Sequence, residues 1–249
     1  MENNQKCISS ICATVLKLLN VDIPNDIDSP NEELLKITPK ADKVVLYNPD
    51  AVAWWLYEKY PDIFAQAKEC SAKATKLRSV MPSVTPVCFA SMYTGLMPEK
   101  HGIQKYEKPV LTVDTMFDYL VNAGKKVAIV STKGDSISKI FLERNMDYFI
   151  YSMKSTVNRK AEKLIKEGEY DVIVIYNADY DSTMHANGPE HKKSLKHLSQ
   201  NIKTYKRFVS IIKKTYINEK VFYGFCPDHG CHEIDGGRGS HGLEMEEDM

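Results

Sequence analysis

The sequence lacks most of the features that would class a chain at sight. It has no net charge, with 33 Lys and Arg against 33 Asp and Glu in 249 residues. That removes the electrostatic reason to expect nucleic acid or an anionic membrane surface as a partner. It has no apolar run near the ~20 residues a spanning helix needs. Cysteine is sparse, six in all, too few for a disulfide scaffold. An export signal is also missing from the reading: the apolar stretch over residues 7–19 follows a start containing Glu2 and is interrupted by Lys17. Ile8, Ile11, Cys12, Val15, Leu18 and Leu19 recur instead at helical spacing, which predicts an amphipathic helix. A cytoplasmic protein with reduced thiols is the expectation. Repeats, low-complexity tracts and dividing linkers are absent too. One domain over residues 1–249 follows, with residues 1–40 as an N-terminal helix and a polar connection marked by Pro24, Asn25, Asp26, Asp28, Pro30 and Asn31.

What is present is an ordinary globular composition, 43% hydrophobic and 27% charged, with helix and strand patterns in alternation. Strands are predicted over residues 43–47, 126–131, 148–151, 171–176 and 220–226, each short, apolar and rich in β-branched or aromatic residues. Helical patterns cover 51–60, 65–76, 114–123, 136–144, 157–167 and 190–214. The alternation predicts a three-layer α/β/α sandwich around a largely parallel sheet. The last helix is lysine-rich, but Leu195, Leu198, Ile202, Tyr205, Val209 and Ile212 form an apolar stripe along it. A peripheral helix with a solvated basic face accounts for both.

In an open α/β sheet, ligands bind beyond the carboxyl ends of the strands, and Asp and His collect there. Asp50 follows the first strand. Asp179, Asp181 and His185 follow the fourth, Asp228 and His229 the fifth, and His241 lies in the loop beyond. Mixed carboxylate and imidazole ligands suit zinc, manganese or similar divalent ions, and two close ions suit phosphoryl chemistry. The segment from Met81 to Gly95 adds hydroxyls, Ser83 and Thr85, at the expected start of a helix. Either could be an activated nucleophile or a helix cap.

These segments resemble a known family. Pro82-Ser83-Val84-Thr85-Pro86, continuing through Ser91-Met92-Tyr93-Thr94-Gly95 to His101-Gly102-Ile103, is similar to the nucleophile segment of the alkaline phosphatase superfamily. The nearest branch is the type I phosphodiesterase/nucleotide pyrophosphatases. Asp181-Ser182-Thr183-Met184-His185 with Gly188-Pro189 resembles the branch's Asp-x-x-x-His-x-x-Gly-Pro motif. Pro227-Asp228-His229-Gly230 and Gly239-Ser240-His241-Gly242 resemble its Ser-Asp-His-Gly and Gly-Thr-His-Gly motifs, in the family's order. The resemblance implies two divalent metal ions, zinc or alternatively manganese. Asp181, His185 and His241 would bind one ion. Asp50, Asp228 and His229 would bind the other, with Thr85 as nucleophile bridging toward it. It also implies hydrolysis of phosphodiester or nucleotide pyrophosphate bonds in a small-molecule substrate, through a phosphothreonine intermediate.

The sequence departs from that family at some positions. Cys88 stands where the nucleotide pyrophosphatases carry a phosphate-holding Asn, and Ala51 follows Asp50 where the family reads Gly. The Cys-x-Pro-Ser-Arg segment of sulfatases is absent. Relatives usually continue into another strand beyond the residues at which this chain stops, so the expectation is either a chain short at its C-terminus or a sheet without one edge. Other readings are a phosphomonoesterase, a phosphomutase of the same superfamily, or a non-catalytic metal-binding protein on this fold. A mutase needs a cap domain, for which the segment from Thr85 to Asp181, already filled with βα units, has no room. The cysteine pairs Cys7/Cys12 and Cys226/Cys231 are read as core thiols rather than zinc ligands, and Trp54 and Trp55 as packing residues. His101, His232 and Asp179 are read as neighbours of the site, not ligands.

Overall fold

The computed structural model describes residues 6–249. The first five, part of the start weighed against an export signal, lie outside the described residues. Helix α1 (Ser10–Leu18) opens the fold, and α2 (Glu32–Ile37) follows the polar connection, with the Asn31 side chain accepting the Leu34 N–H at its N-terminus. Strand β1 (Lys43–Pro49) leads to α3 (Trp54–Lys59) and α4 (Pro61–Cys70). Then come α5 (Thr85–Thr94), α6 (Pro98–His101), α7 (Met116–Asn122), β2 (Val127–Thr132), α8 (Ile137–Ile140) and β3 (Asp147–Tyr151). The chain continues with α9 (Lys154–Glu167), β4 (Val172–Asn177), α10 (Asp179–Asn187), α11 (Lys192–Thr215) and β5 (Val221–Phe225). A hairpin of β6 (His232–Ile234) and β7 (Arg238–Ser240) closes it.

The five longer strands form one parallel sheet in the order β3-β2-β4-β1-β5. Period-two alternation sorts their side chains between two cores. Val44, Leu46, Val127, Ile129, Val172 and Val174 pack with α1, α5 and α7 on one face. Val45, Tyr47, Ala128, Val130, Ile173 and Ile175 pack with α9 and α11 on the other. This is the α/β/α sandwich expected, and among the described residues no cap domain interrupts it. Both faces of the central strands are covered, so their sequences are continuously apolar rather than alternating. Each fully buried aliphatic side chain contributes about 1.5–3 kcal/mol. On α11, Leu198, Ile202, Tyr205, Phe208, Val209 and Ile212 are buried and the lysines face solvent. Strand β5, half-buried, is the sheet edge beside β1.

Three local expectations need correction. Helix α1 is buried on nearly all sides rather than amphipathic, Lys17 being its one exposed residue. Its polar groups are satisfied locally: Ser10 Oγ donates to the Cys7 carbonyl and Thr14 Oγ1 to that of Ser10. The segment 65–76 is helical only to Cys70, and the helix begins earlier, at Pro61, whose fixed φ suits a first turn. Residues 179–187 and 232–240, read as strand-exit loops, form helix α10 and the β6–β7 hairpin. Among the described residues no helix is long and apolar enough to cross a membrane. All six cysteines are free thiols.

Candidate metal centre

The sheet order explains why residues far apart in sequence meet. Strands β4, β1 and β5 are adjacent and parallel, so their carboxyl ends lie side by side. Asp50 leaves β1, α10 leaves β4 carrying Asp181 and His185, and Asp228 and His229 leave β5. On α10 the i, i+4 spacing puts Asp181 and His185 on one helix face. The hairpin then returns His241 to them. All seven sequence-derived candidates converge at this edge.

They form two trios. In the first, Asp181 Oδ1 lies 3.2 Å from His185 Nε2 and 3.4 Å from His241 Nε2, and the two Nε2 atoms are 3.1 Å apart. Both rings are oriented from behind, His185 Nδ1 lying 3.0 Å from the Gly239 carbonyl and His241 Nδ1 3.0 Å from that of Ser83. A carbonyl can only accept, so each Nδ1 carries the proton and donates it, and each Nε2 presents a lone pair. Two lone pairs facing each other across 3.1 Å beside a carboxylate oxygen need a cation between them. Asp181 Oδ1 is buried with no aligned hydrogen-bond partner.

The second trio is buried entirely. His229 Nε2 lies 3.4 Å from Asp50 Oδ1 and 3.3 Å from Asp228 Oδ2, while its Nδ1 donates to the Gly230 carbonyl at 2.8 Å. Asp228 Oδ1 accepts the Ala51 N–H at 3.2 Å, and Asp228 Oδ2 is buried without a hydrogen-bond partner. Thr85 Oγ1 is 3.3 Å from both Asp50 Oδ2 and His229 Nε2. The His229 and His241 rings, 4.1 Å between centroids, join the two trios. Among the described residues no Lys or Arg forms an ion pair with Asp50, Asp181 or Asp228.

The charges fit a site built for cations. Burial, followed by the charges of Asp228 and Asp181, pushes the Asp50 carboxyl well above its ordinary range. Burial raises Asp228 to about 7. Burial lowers His229 and keeps it neutral, the form that ligates. Orphaned carboxylate oxygens and converging Nε2 lone pairs, in sets of three, match what zinc or manganese takes from a protein. The residues present fit a divalent ion in each trio.

Thr85 is the first residue of α5, one place past the N-cap position held by Val84, so it is not the helix cap. Its hydroxyl is turned to Asp50 and His229 instead, and the positive end of a ten-residue helix faces the same cleft. Ser83, the other hydroxyl considered, donates to the Leu243 carbonyl. Cys88 is buried and directs its thiol at the Val80 carbonyl, away from the cleft. His101 bonds Ser91, His232 bonds Asp248, and Asp179 pairs with Lys154, so none of the three is a ligand here. Trp55 donates to the Cys231 carbonyl and packs as expected, whereas Trp54 stays half-exposed against Tyr57.

Sequence reasoning missed part of the cleft, a cavity of about 320 Å³. Tyr176, on β4, donates to Asp50 Oδ2 and fixes that carboxylate. Period two along β4 places Tyr176 on the α5 face with Val172 and Val174, a signal readable beforehand. Tyr106, Lys108, Asp135 and Ser136 complete the rim from irregular segments, which carry no such signal.

Residues 44–118 match the family model of type I phosphodiesterase / nucleotide pyrophosphatase. The matched segment runs from β1 into α7 and contains Asp50 and Thr85, so the resemblance drawn from the motifs holds there on the whole pattern. No curated protein sequence matches the chain. Among solved structures it is similar to murine ectonucleotide pyrophosphatase / phosphodiesterase 5, with a TM-score of 0.63 and 17% identity over 78% of this chain and 58% of that one. It is equally similar to the inactive threonine-to-alanine form of the same murine protein in complex with AMP, at TM-score 0.63 and 16% identity over 78% of this chain and 59% of the other. The chain thus spans less than two thirds of the solved chains it matches, and at this identity the likeness establishes the fold.

Proposed function

We propose that the chain is a metal-dependent hydrolase of phosphodiester or nucleotide pyrophosphate bonds in small-molecule substrates, with Thr85 as nucleophile and a divalent ion, zinc by preference, in each trio. One observation carries the reading: the Thr85 hydroxyl, at the start of α5, sits within 3.3 Å of two members of a buried acidic trio. Divalent ions held there supply Lewis-acid charge to the phosphoryl oxygens and lower the pKa of a neighbouring hydroxyl. Thr85 Oγ1 bonds to phosphorus as the leaving oxygen departs, and its proton passes toward Asp50 Oδ2. Water then cleaves the phosphothreonine ester and restores the hydroxyl. Tyr176 holds Asp50, and the carbonyls of Gly239, Ser83 and Gly230 hold the three imidazoles, so the geometry exists before substrate arrives. Both trios and Thr85 lie in the one α/β fold described, and the free thiols support the cytoplasmic setting expected from the sequence.

The test is turnover of bis(p-nitrophenyl) phosphate, with metal content and melting temperature measured alongside. Thr85→Ala loses activity by a factor on the order of 10³ or more while keeping fold and metals, and Thr85→Ser keeps a part. A Thr85→Ala protein that stays fully active would remove Thr85 from the chemistry and leave it a structural role.

A further inference from the structure

Zero net charge conceals an uneven distribution. Helices α9 and α11 cover one face of the sheet and together carry thirteen Lys and Arg residues against two acids, Glu162 and Glu167. The rest of this neutral chain is therefore net acidic, and the helical layer is strongly basic. Little of its charge is neutralised. Glu162, buried, pairs with Arg207 and ties the two helices together, and Glu167 pairs with Lys163. Lys206 reaches Glu69 on α4, and Lys154 reaches Asp179. Among the described residues Lys192, Lys193, Lys196, Lys203, Lys213 and Lys214 are all exposed and form no ion pair. Opposite the buried stripe of α11, Lys193, Lys196, Lys203, Arg207 and Lys214 recur at three- and four-residue spacing, interrupted only by Gln200 and Ser210. That line is about 30 Å long. On α9, Arg159, Lys163 and Lys166 are exposed at the same spacing.

The shape of this layer narrows the partner. Both helices lie flat against the sheet, and neither projects as a groove-reading helix does. Tyr205, Phe208 and Tyr216 are buried, so the rings of α11 offer no stacking platform for bases. The exposed apolar side chains stand at the two ends of the layer. Met153, just before α9, is 62% exposed, and Ile217, just past α11, is 77% exposed. We propose that the outer face of α9 and α11 is a docking surface for an anionic lipid bilayer. The lysines pair with headgroup phosphates and carboxylates, and Ile217 and Met153 enter the acyl boundary at its margins. Docking through this face leaves the cleft clear, because the cleft lies beyond the carboxyl ends of the strands and not on the helical layer.

The experiment is flotation of the full chain with phosphatidylcholine vesicles, with and without about one-third phosphatidylserine. The protein binds only the anionic vesicles, and binding falls steeply as salt is raised. The triple variant Lys196→Gln, Lys203→Gln, Lys214→Gln lowers the affinity on the order of a hundredfold, and Ile217→Ser lowers it less. A second triple variant, Lys17→Gln, Lys36→Gln, Lys40→Gln, removes the same charge beside α1 and α2 and binds as wild type does. All the substituted side chains are exposed, so each variant keeps the wild-type melting temperature. Absence of vesicle binding, equal binding to neutral vesicles, or equal loss in the two triple variants overturns the proposal. A double-stranded oligonucleotide that binds by fluorescence anisotropy, is released by the α11 triple variant and has no counterpart in vesicle binding would assign the face to nucleic acid instead.

Discussion

Gly239 is the residue through which packing is expected to control the first metal trio. It lies on β7 where the hairpin crosses α10, and its carbonyl orients His185 at 3.0 Å. A Cβ placed on it would stand 2.2 Å from Met184 Sδ, 2.8 Å from Met184 Cγ and 2.9 Å from the Met184 carbonyl oxygen. The thioether can swing aside. The carbonyl cannot, because it accepts the Gly188 N–H at 2.7 Å and ends the helix. Relieving a 2.9 Å contact to a normal carbon–oxygen separation of ~3.3 Å moves β7 back by roughly 0.4 Å. The hydrogen bond to His185 then stretches to the limit of useful length. Gly239→Ala should therefore cost about 1–3 kcal/mol of stability by overpacking. It should also weaken metal binding at the Asp181 trio by roughly 10–100-fold, the usual effect of losing a group that orients a ligand. Adding Met184→Ala removes the sulfur and Cγ contacts but not the carbonyl contact, so the double variant should regain stability and only part of the affinity. Calorimetric zinc titration of chelator-treated protein measures both, and a His229→Ala background isolates the trio concerned. Wild-type affinity in Gly239→Ala would refute the link between this contact and His185.

The buried trio should trade stability for binding. In chelator-treated protein Asp228→Asn is expected to raise stability by about 1–3 kcal/mol, since it removes one of two buried like charges, while abolishing metal uptake there; urea unfolding and metal analysis check the pair. His101 should give a pH signature independent of metal. Burial lowers it to about 4 from an ordinary 6.5, so the folded state binds fewer protons than the unfolded. Stability is then fully present above about pH 6.5 and is lost, by up to about 3 kcal/mol, as pH falls through about 4. Urea titrations of the chelated protein, wild type against His101→Gln, should show this part of the slope disappear. Asp248→Ala should cost about 3–5 kcal/mol, because Asp248 is fully buried and binds His232 Nδ1 at 2.7 Å and the Leu243 N–H at 2.9 Å; thermal melts decide it.

The site was more legible in the sequence than its scaffold. Asp50, Asp228 and His229 follow apolar, β-branched strands, and in a parallel sheet any strand exit points to the ligand edge. The same logic finds Asp181 and His185 but mistakes their local structure. The hydrophobic pattern of α10 is weak, with Tyr180 and Met184 its only buried residues, so nothing apolar announces a helix. What holds it is tertiary, Tyr180 donating to the Pro189 carbonyl and Gly239 pressing on Met184. The β6–β7 hairpin escaped for a related reason. Its three-residue strands sit between Asp235-Gly236-Gly237 and the site, too short for alternation to be read. Helix α1 misled in the opposite sense, because one-sided spacing was read where both sides are covered and Ser10 and Thr14 are tied to the backbone.

The closing segment shows why such misses fall where they do. Gly230, just after the second trio, has no room for a side chain: a Cβ there would stand 1.9 Å from the Glu247 carbonyl. The Gly230 N–H donates to the Asp248 carbonyl at 2.8 Å, and the Ser79 N–H donates to Met249 at 3.0 Å. The loop holding Asp228 and His229 is thus fixed by residues 247–249 and by the segment entering α5, which itself delivers Thr85. Motif residues announce themselves by chemical type. The contacts that hold them to tenths of an ångström use glycines and carbonyls, which any sequence has in abundance. A strand exit can therefore be read from composition and order, but the rigidity that a metal site needs becomes visible only when backbones from β5, β7 and the closing segment are seen packed together.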